Sequence, residues 1–305
     1  MSPTALARAL RPHQWVKNLF VLAAVVFARG DQDPLLEKPP DYSDVWGSLL
    51  AFGAFCLGAS AIYLVNDVLD VERDRAHPEK RLRPIASGAL SVRAALAVAL
   101  VTGVGAYALA TLAAGEPYSV SWVLLGYMLL NLAYSVRLKH VVLLDVFCIA
   151  AGFLMRVKAG GLAAHYHVSQ WLMLCTLFLA LFLALCKRRA EIDLLGEERG
   201  SHRANLRHYT LGFLDQMTTL LAAVTVVFYT MYTVSPENVL KFGEGHHMIY
   251  SVPFVVFGLG RYLFLVDTQR GGGSPTRVLL GGDALFVLNA LAWLGVVMAV
   301  MFGGW

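Results

Sequence analysis

Apolar stretches of about twenty residues recur along this chain and leave it one kind of fold. A helix needs ~20 residues to cross ~30 Å of hydrocarbon. Nine stretches of that order are read, at about residues 14–28, 45–67, 94–114, 119–136, 141–160, 168–186, 211–234, 249–267 and 278–302. The first is the shortest and begins on polar residues. The expectation is an all-α, polytopic membrane protein, a nine-helix bundle forming a single transmembrane domain over residues 1–305. Composition excludes a soluble domain, because only 15% of residues are charged where about 25% is usual. Arg8, Arg11 and Lys17 lead straight into the first apolar run, so no cleavable leader is expected.

Charge orients the spans. Most Lys and Arg fall in the N-terminus and in the loops after spans two, four, six and eight. The opposite loops hold only Arg29, Lys38 and Lys241, while Arg156, Lys158 and Arg261 lie within spans. The positive-inside rule then places the N-terminus and the basic loops in the cytoplasm. The loop from Asp31 to Asp44 on the other side is acidic and contains Pro. Cys56, Cys148, Cys175 and Cys186 all fall in spans with no CxxC spacing, which predicts packing residues rather than a disulfide framework or a zinc site.

Two cytoplasmic loops, about 68–93 and 187–210, are long and highly charged, and in each the charge begins while the helix should still be running. The first opens with Asn66-Asp67-Val68-Leu69-Asp70-Val71-Glu72-Arg73-Asp74. Residues three and four apart share a helix face, so Asn66, Asp67, Asp70 and Asp74 form one stripe. Carboxylates that close repel one another unless a cation sits among them, and carboxylates near a helix C-terminus also oppose its dipole. Hard oxygen ligands suit Mg²⁺, which takes one or two carboxylates plus substrate phosphates. Lys80-Arg81-Leu82-Arg83 follows. Metal-binding carboxylates beside phosphate-binding cations predict a Mg²⁺–diphosphate site at a membrane edge.

The second loop opens with Lys187-Arg188-Arg189-Ala190-Glu191. Lys187 and Glu191 share a face, and arginine offers a planar fork matched to phosphate oxygens. The stretch reads either as an anion holder or as a positive anchor followed by a solvated helix. Asp145 and Arg156 are about three turns apart in span five, ~16 Å along the axis, which excludes a direct pair. They line a polar cavity, or Arg156 and Lys158 snorkel to the far interface. Arg261 has the same two readings. Tyr134, Arg137 and Lys139 close span four as anchors or substrate contacts, and His13-Gln14-Trp15 forms an interface belt or a lid. His246-His247 is read as a loop feature. Gly271-Gly272-Gly273 lacks the Lys-Ser/Thr of a phosphate loop and is read as a flexible turn.

Nine spans with Asn-Asp-x-x-Asp-x-x-x-Asp after the second resemble the UbiA superfamily of intramembrane prenyltransferases. That resemblance implies a helical bundle around a central cavity open to lipid, with Asn66, Asp67, Asp70 and Asp74 as its first Asp-rich motif. Typical members carry a second motif, Asp-x-x-x-Asp, after span six. Here Lys187-Arg188-Arg189-Ala190-Glu191 stands in its place, which argues against ordinary aromatic prenylation. A phosphoribosyltransferase branch of the superfamily is similar in more detail. The similar segments are Arg11-Pro12-His13-Gln14-Trp15-Val16-Lys17-Asn18, Tyr63 to Asp74, His77-Pro78, Lys80 to Gly88, and Gly152-Phe153-Leu154 with Arg156, Gly160 and Gly161. Lys187-Arg188-x-Ala190-Glu191 matches that branch's altered second motif.

This branch implies Mg²⁺-dependent transfer of 5-phosphoribose from phosphoribosyl pyrophosphate (PRPP) to decaprenyl (polyprenyl) phosphate. The product would supply the arabinose donor for cell-wall arabinan, at a bacterial plasma membrane. Asn66, Asp70 and Asp74, with Asp67, would hold Mg²⁺ on the pyrophosphate. Lys80, Arg81 and Arg83 would neutralise phosphate oxygens. Lys187, Arg188 and Glu191 would bind the 5-phosphate or the ribose, and Lys17, Tyr134, Lys139 and Arg156 complete the expected substrate contacts. The partners are then PRPP, a polyprenyl phosphate and the membrane, with no nucleic acid. Small residues on several spans suit either contacts between copies in a homo-oligomer or packing inside one bundle. The competing readings are a conventional prenyltransferase acting on an aromatic acceptor, and a transporter whose intramembrane polar residues mark a path.

Overall fold

A computed structural model describes residues 2–28, 42–113, 119–195, 206, 208–235, 247–268 and 283–302. Among them every long element is helical, as lipid demands of a backbone that must satisfy its own N–H and C=O groups. In chain order these are α1 (Pro3–Leu10), a 3₁₀ stretch (Pro12–Leu19), α2 (Phe20–Ala28), α3 (Tyr42–Leu69) and the short α4 (Val71–Ala76). After them come α5 (Val92–Leu112), α6 (Ser119–Val136), α7 (Leu144–Ala163), α8 (Gln170–Leu195), α9 (Leu211–Thr233), α10 (Val252–Thr268) and α11 (Ala284–Phe302).

Among the described residues, seven helical stretches are long and apolar enough to cross a membrane: α3, α5, α6, α7, α8, α9 and α10 with the turn leading into it. In α11 the apolar part, Ala284–Val300, is shorter. The expected first span divides into the 3₁₀ stretch and the nine residues of α2. Side chains explain the division. Trp15 Nε1 donates to Ser60 Oγ at 3.1 Å, and the buried Asn18 donates to Cys56 Sγ at 3.3 Å. These anchors fix a polar backbone segment that Pro12 and the left-handed Arg11 (φ 53°) have already turned out of α1.

Local chemistry sets the helix starts. Ser91 Oγ accepts the Ala94 N–H, Thr210 Oγ1 accepts that of Phe213, and Asp283 Oδ1 accepts that of Phe286, each supplying an orphan donor with a partner. Within the apolar helices Thr102, Thr176 and Thr225 return their hydroxyls to the carbonyl four residues back, so these three hydroxyl hydrogens are not left facing hydrocarbon. All four cysteines are free.

The chain forms two compact units. One draws on Met1–Ala28, Lys38–Val136 and Met155–Val168, the other on Arg137–Leu154 and Ser169–Trp305. The first packs small residues (Ala51, Ala54, Ala106, Ala159 and Ala163) around Phe55, Val21 and Leu124. Close approach is the reason: a Cβ on Gly160 would overlap the Val21 carbonyl, and one on Gly47 would overlap that of Ala163. Small residues let helix backbones meet in this way. Gly160→Ala is expected to lower stability by about 1–3 kcal/mol, the cost of overpacking. Gly212→Ala, with open space around its Cβ, should not. Thermal melting of the two variants in detergent checks the contrast.

The second unit has larger side chains, Phe182, Leu185, Ile192, Tyr209 and Tyr262. Its helix ends are joined by ion pairs. Arg189 on α8 donates to Asp215 on α9 and to Asp267 on α10, both at 2.5 Å. Arg261 pairs with Asp283 at the start of α11, a partner the sequence did not indicate. The Arg261 bonds, with the Phe286 N–H, hold the Asp283 carboxyl below the usual carboxylate range. The loop 31–41, Arg29, Lys241, His246, Gly271–Gly273 and most of the loop beyond residue 195 lie outside the described residues.

Candidate active site

In the first unit the acidic stripe forms where α3 ends. The N–H of Asp70 bonds the Asn66 carbonyl at 2.9 Å, and that of Asp74 bonds the Asp70 carbonyl at 2.8 Å. Four-residue spacing therefore persists across a break at Asp70, which is the N-cap of α4 (φ −96°, ψ 6°). Asp67 and Asp74 are only 4% and 3% exposed. Arg83 joins them, with one nitrogen 3.1 Å from Asp67 Oδ1 and 2.7 Å from Asp74 Oδ2. Arg11 donates to the same Asp67 oxygen at 2.6 Å and lies 4.9 Å from the centre of the Tyr63 ring. Buried carboxylates need such partners. Asp70 is more open and lies 3.5 Å from Arg73.

Loop 77–91 presents Arg83 because it is itself packed. Ile85 and Leu90 are buried with Leu64, Ala95, Ala99 and Ala9. The His77 ring accepts the N–H groups of Glu79 and Lys80, and the Leu90 N–H reaches the Pro84 carbonyl at 2.8 Å. Arg81 is exposed and donates to the Pro78 carbonyl, while Lys80 is half-buried.

One oxygen here lacks a partner: Asn66 Oδ1 is buried and accepts no hydrogen bond. Such an atom normally carries a cost, and a hard cation would relieve it. Among the described residues no three His, Cys, Asp or Glu gather as a metal cluster. The protein thus offers an amide oxygen with one or two carboxylates, the limited set that suits Mg²⁺ sharing its coordination with water and phosphate. The residues fit that ion.

Arg156 is buried in the same unit. Its Nε donates to Asn18 Oδ1 and a terminal nitrogen to the Tyr127 hydroxyl, each at 2.8 Å, with the guanidinium over the Tyr127 ring. It therefore points inward, while Lys158 is exposed. Lys17 and Tyr134 are half-buried.

In the second unit Arg188 is 1% exposed and held by carboxylates. Its Nε lies 2.8 Å from Asp145 Oδ2, and another nitrogen lies 2.6 Å from Glu191 Oε2. The Tyr209 hydroxyl donates to Asp145 Oδ1 at 2.9 Å and accepts the Leu143 N–H at 2.8 Å. Burial, with the Asp145 charge acting in the same direction, pushes that hydroxyl up to about 12, so it stays a donor at neutral pH. Lys187 is about half exposed, 3.9 Å from Glu191. Lys139 is half-buried in the turn Leu138–His140.

Asp67, Asp74 and Arg83 are thus brought together in one unit, with Asn66 and Asp70 on the same helical stretch, and Lys187, Arg188 and Glu191 meet in the other. Sequence reading missed Arg11, Asn18, Tyr127 and Tyr209 as partners. A signal existed only for Asp145: a carboxylate at the head of an apolar span must be paired.

A family model described as the UbiA prenyltransferase family matches residues 18–280. The decaprenyl-phosphate phosphoribosyltransferase of Mycolicibacterium smegmatis is 37% identical, covering 98% of this chain and 93% of the relative. That of Corynebacterium glutamicum is 41% identical, covering 97% and 86%. Among solved structures, a UbiA homolog from Archaeoglobus fulgidus bound to GPP and Mg²⁺ superposes with a TM-score of 0.70 at 19% identity, covering 97% of this chain and 99% of that one.

Proposed function

The chain belongs to the UbiA prenyltransferase family, and we propose that it is the family's phosphoribosyl-transferring kind. It moves 5-phosphoribose from PRPP to decaprenyl phosphate and releases pyrophosphate. One observation carries this: relatives bearing the name decaprenyl-phosphate phosphoribosyltransferase match it over nearly its whole length. The replacement of a second acidic motif by Lys187-Arg188-Arg189-Ala190-Glu191 supports it.

The residues divide the work by chemistry. Asn66, Asp70 and Asp74 would hold Mg²⁺, which supplies positive charge to the pyrophosphate when bound. Arg83 trades its bond to Asp74 for a phosphate oxygen, and Lys80 and Arg81 neutralise the leaving group as charge develops on it. Asp67, fixed by Arg11, keeps Arg83 in reach. Lys187 is the accessible cation for the 5-phosphate. Lys17, Tyr134, Lys139 and Arg156 contact substrate or brace those that do. The C1–O bond stretches towards an oxocarbenium-like state while the lipid phosphate oxygen attacks from the opposite face, giving inversion at C1. That oxygen is already anionic, so no strong base is required, and rate comes from positioning and electrostatics. The loops carrying these residues face the cytoplasm of a bacterial plasma membrane by the positive-inside rule.

The test is a product assay in detergent with radiolabelled PRPP, decaprenyl phosphate and Mg²⁺, with and without EDTA. Labelled lipid that disappears with EDTA is expected. Folded protein that makes none, yet turns over a prenyl diphosphate with an aromatic acceptor, would return the chain to conventional prenyl transfer.

A further inference from the structure

A run of hydrogen bonds in the second unit passes through three buried side chains and ends at a partly exposed carboxylate. The Leu143 N–H, in a left-handed residue (φ 65°), donates to Tyr209. Tyr209 donates to Asp145, Asp145 accepts from Arg188, and Arg188 donates to Glu191. Tyr209, Asp145 and Arg188 are each at most 2% exposed, whereas the Glu191 side chain is 27% exposed. Burying an ion pair contributes little net stability. Fixing the direction of its last member is something it does well.

We infer that Glu191 reads the sugar of the donor, accepting hydrogen bonds from the vicinal 2- and 3-hydroxyls of the pentose. Asp145, Arg188 and Tyr209 are then positioning residues that act through it. The inference rests on the phosphoribosyl-transfer reading above and sharpens it.

Other roles fit this carboxylate less well. It repels phosphate. Arg188, the nearest cation able to offset that, is buried and already engaged by two carboxylates. A metal would have the cations Lys187 and Arg188 as neighbours. A general base has no proton to take from an ionised lipid phosphate. Sugar hydroxyls are donors, and a carboxylate has about four acceptor positions. A charge-assisted bond to a held carboxylate is also directional. A site built this way discriminates against an analogue lacking the hydroxyl.

The experiment compares PRPP with its 2-deoxyribosyl analogue as donor, for wild type, Glu191→Gln, Lys187→Ala and Tyr209→Phe, each eluting as folded protein. Wild type should prefer the ribosyl donor. In Glu191→Gln, kcat/KM for PRPP should fall ~10- to 100-fold while the deoxy donor changes little, so the preference collapses. Lys187→Ala should weaken both donors alike. Tyr209→Phe should lower the preference part of the way, which a purely structural role would leave unchanged. If Glu191→Gln weakens both donors equally, or keeps the ribosyl preference, the inference is overturned. Failure of the underlying reading looks different: wild type itself would use neither pentosyl donor.

Discussion

Asp70→Ala is expected to cut kcat by about 10²–10³, the loss typical when a preorganised electrostatic group is removed, with little change in thermal stability. Asp70 is partly open, and its pairing with Arg73 is long and exposed, the kind of ion pair that contributes little to folding. Its loss should therefore appear as lost rate and as a higher Mg²⁺ requirement in the product assay. Asp67→Ala is the informative contrast. Removing Asp67 leaves Arg11 and Arg83 without their shared buried partner, so melting temperature should fall together with rate. Equal effects of the two substitutions on melting would contradict this division between a group that meets the donor and a group that holds an arginine.

Arg188→Met should be the most destabilising single change. It strips a buried guanidinium from Asp145 and leaves that carboxylate, 0% exposed, with the Tyr209 hydroxyl. Breaking a buried ion pair from one side costs about 3–5 kcal/mol, whereas replacing both partners with apolar groups is often close to neutral. The double variant Asp145→Leu, Arg188→Met should therefore regain folded protein by gel filtration and thermal melting. It should not regain activity, because Glu191 would have lost its clamp. A single variant as stable as wild type would show that the pair is not buried in the membrane-embedded protein.

The helices were legible because crossing hydrocarbon imposes a length, and α3 and α5 to α10 meet it. The first span was not legible, because its start is shaped by Trp15 reaching Ser60 and Asn18 reaching Arg156. Those contacts join residues 45 and 138 positions apart, and no local period encodes them. The same divide runs through the site. Asn66, Asp70 and Asp74 were readable as a stripe because helical spacing is local, and they keep that spacing across the break at Asp70. That Arg83 binds two of the carboxylates and Arg11 one was not readable. Charge in a cytoplasmic loop reads equally as an anchor, and only packing of Ile85 and Leu90 brings Arg83 in. For Arg188 the residue type suggested a ligand for phosphate, and tertiary contact with Asp145 gives it a carboxylate instead.

Asp67 and Asp74 with Arg11 and Arg83 carry formal charges that cancel, as do Asp145 and Glu191 with Arg188 and Lys187. Each cluster is internally neutralised before any substrate arrives, which suits charge held close to a low-dielectric phase. The consequence concerns stoichiometry. A donor with a diphosphate and a further phosphate cannot have its charge met by these eight groups unless pairs are broken. On the phosphoribosyl-transfer reading, donor binding would either break those pairs or draw on cations outside them, Lys80 and Arg81.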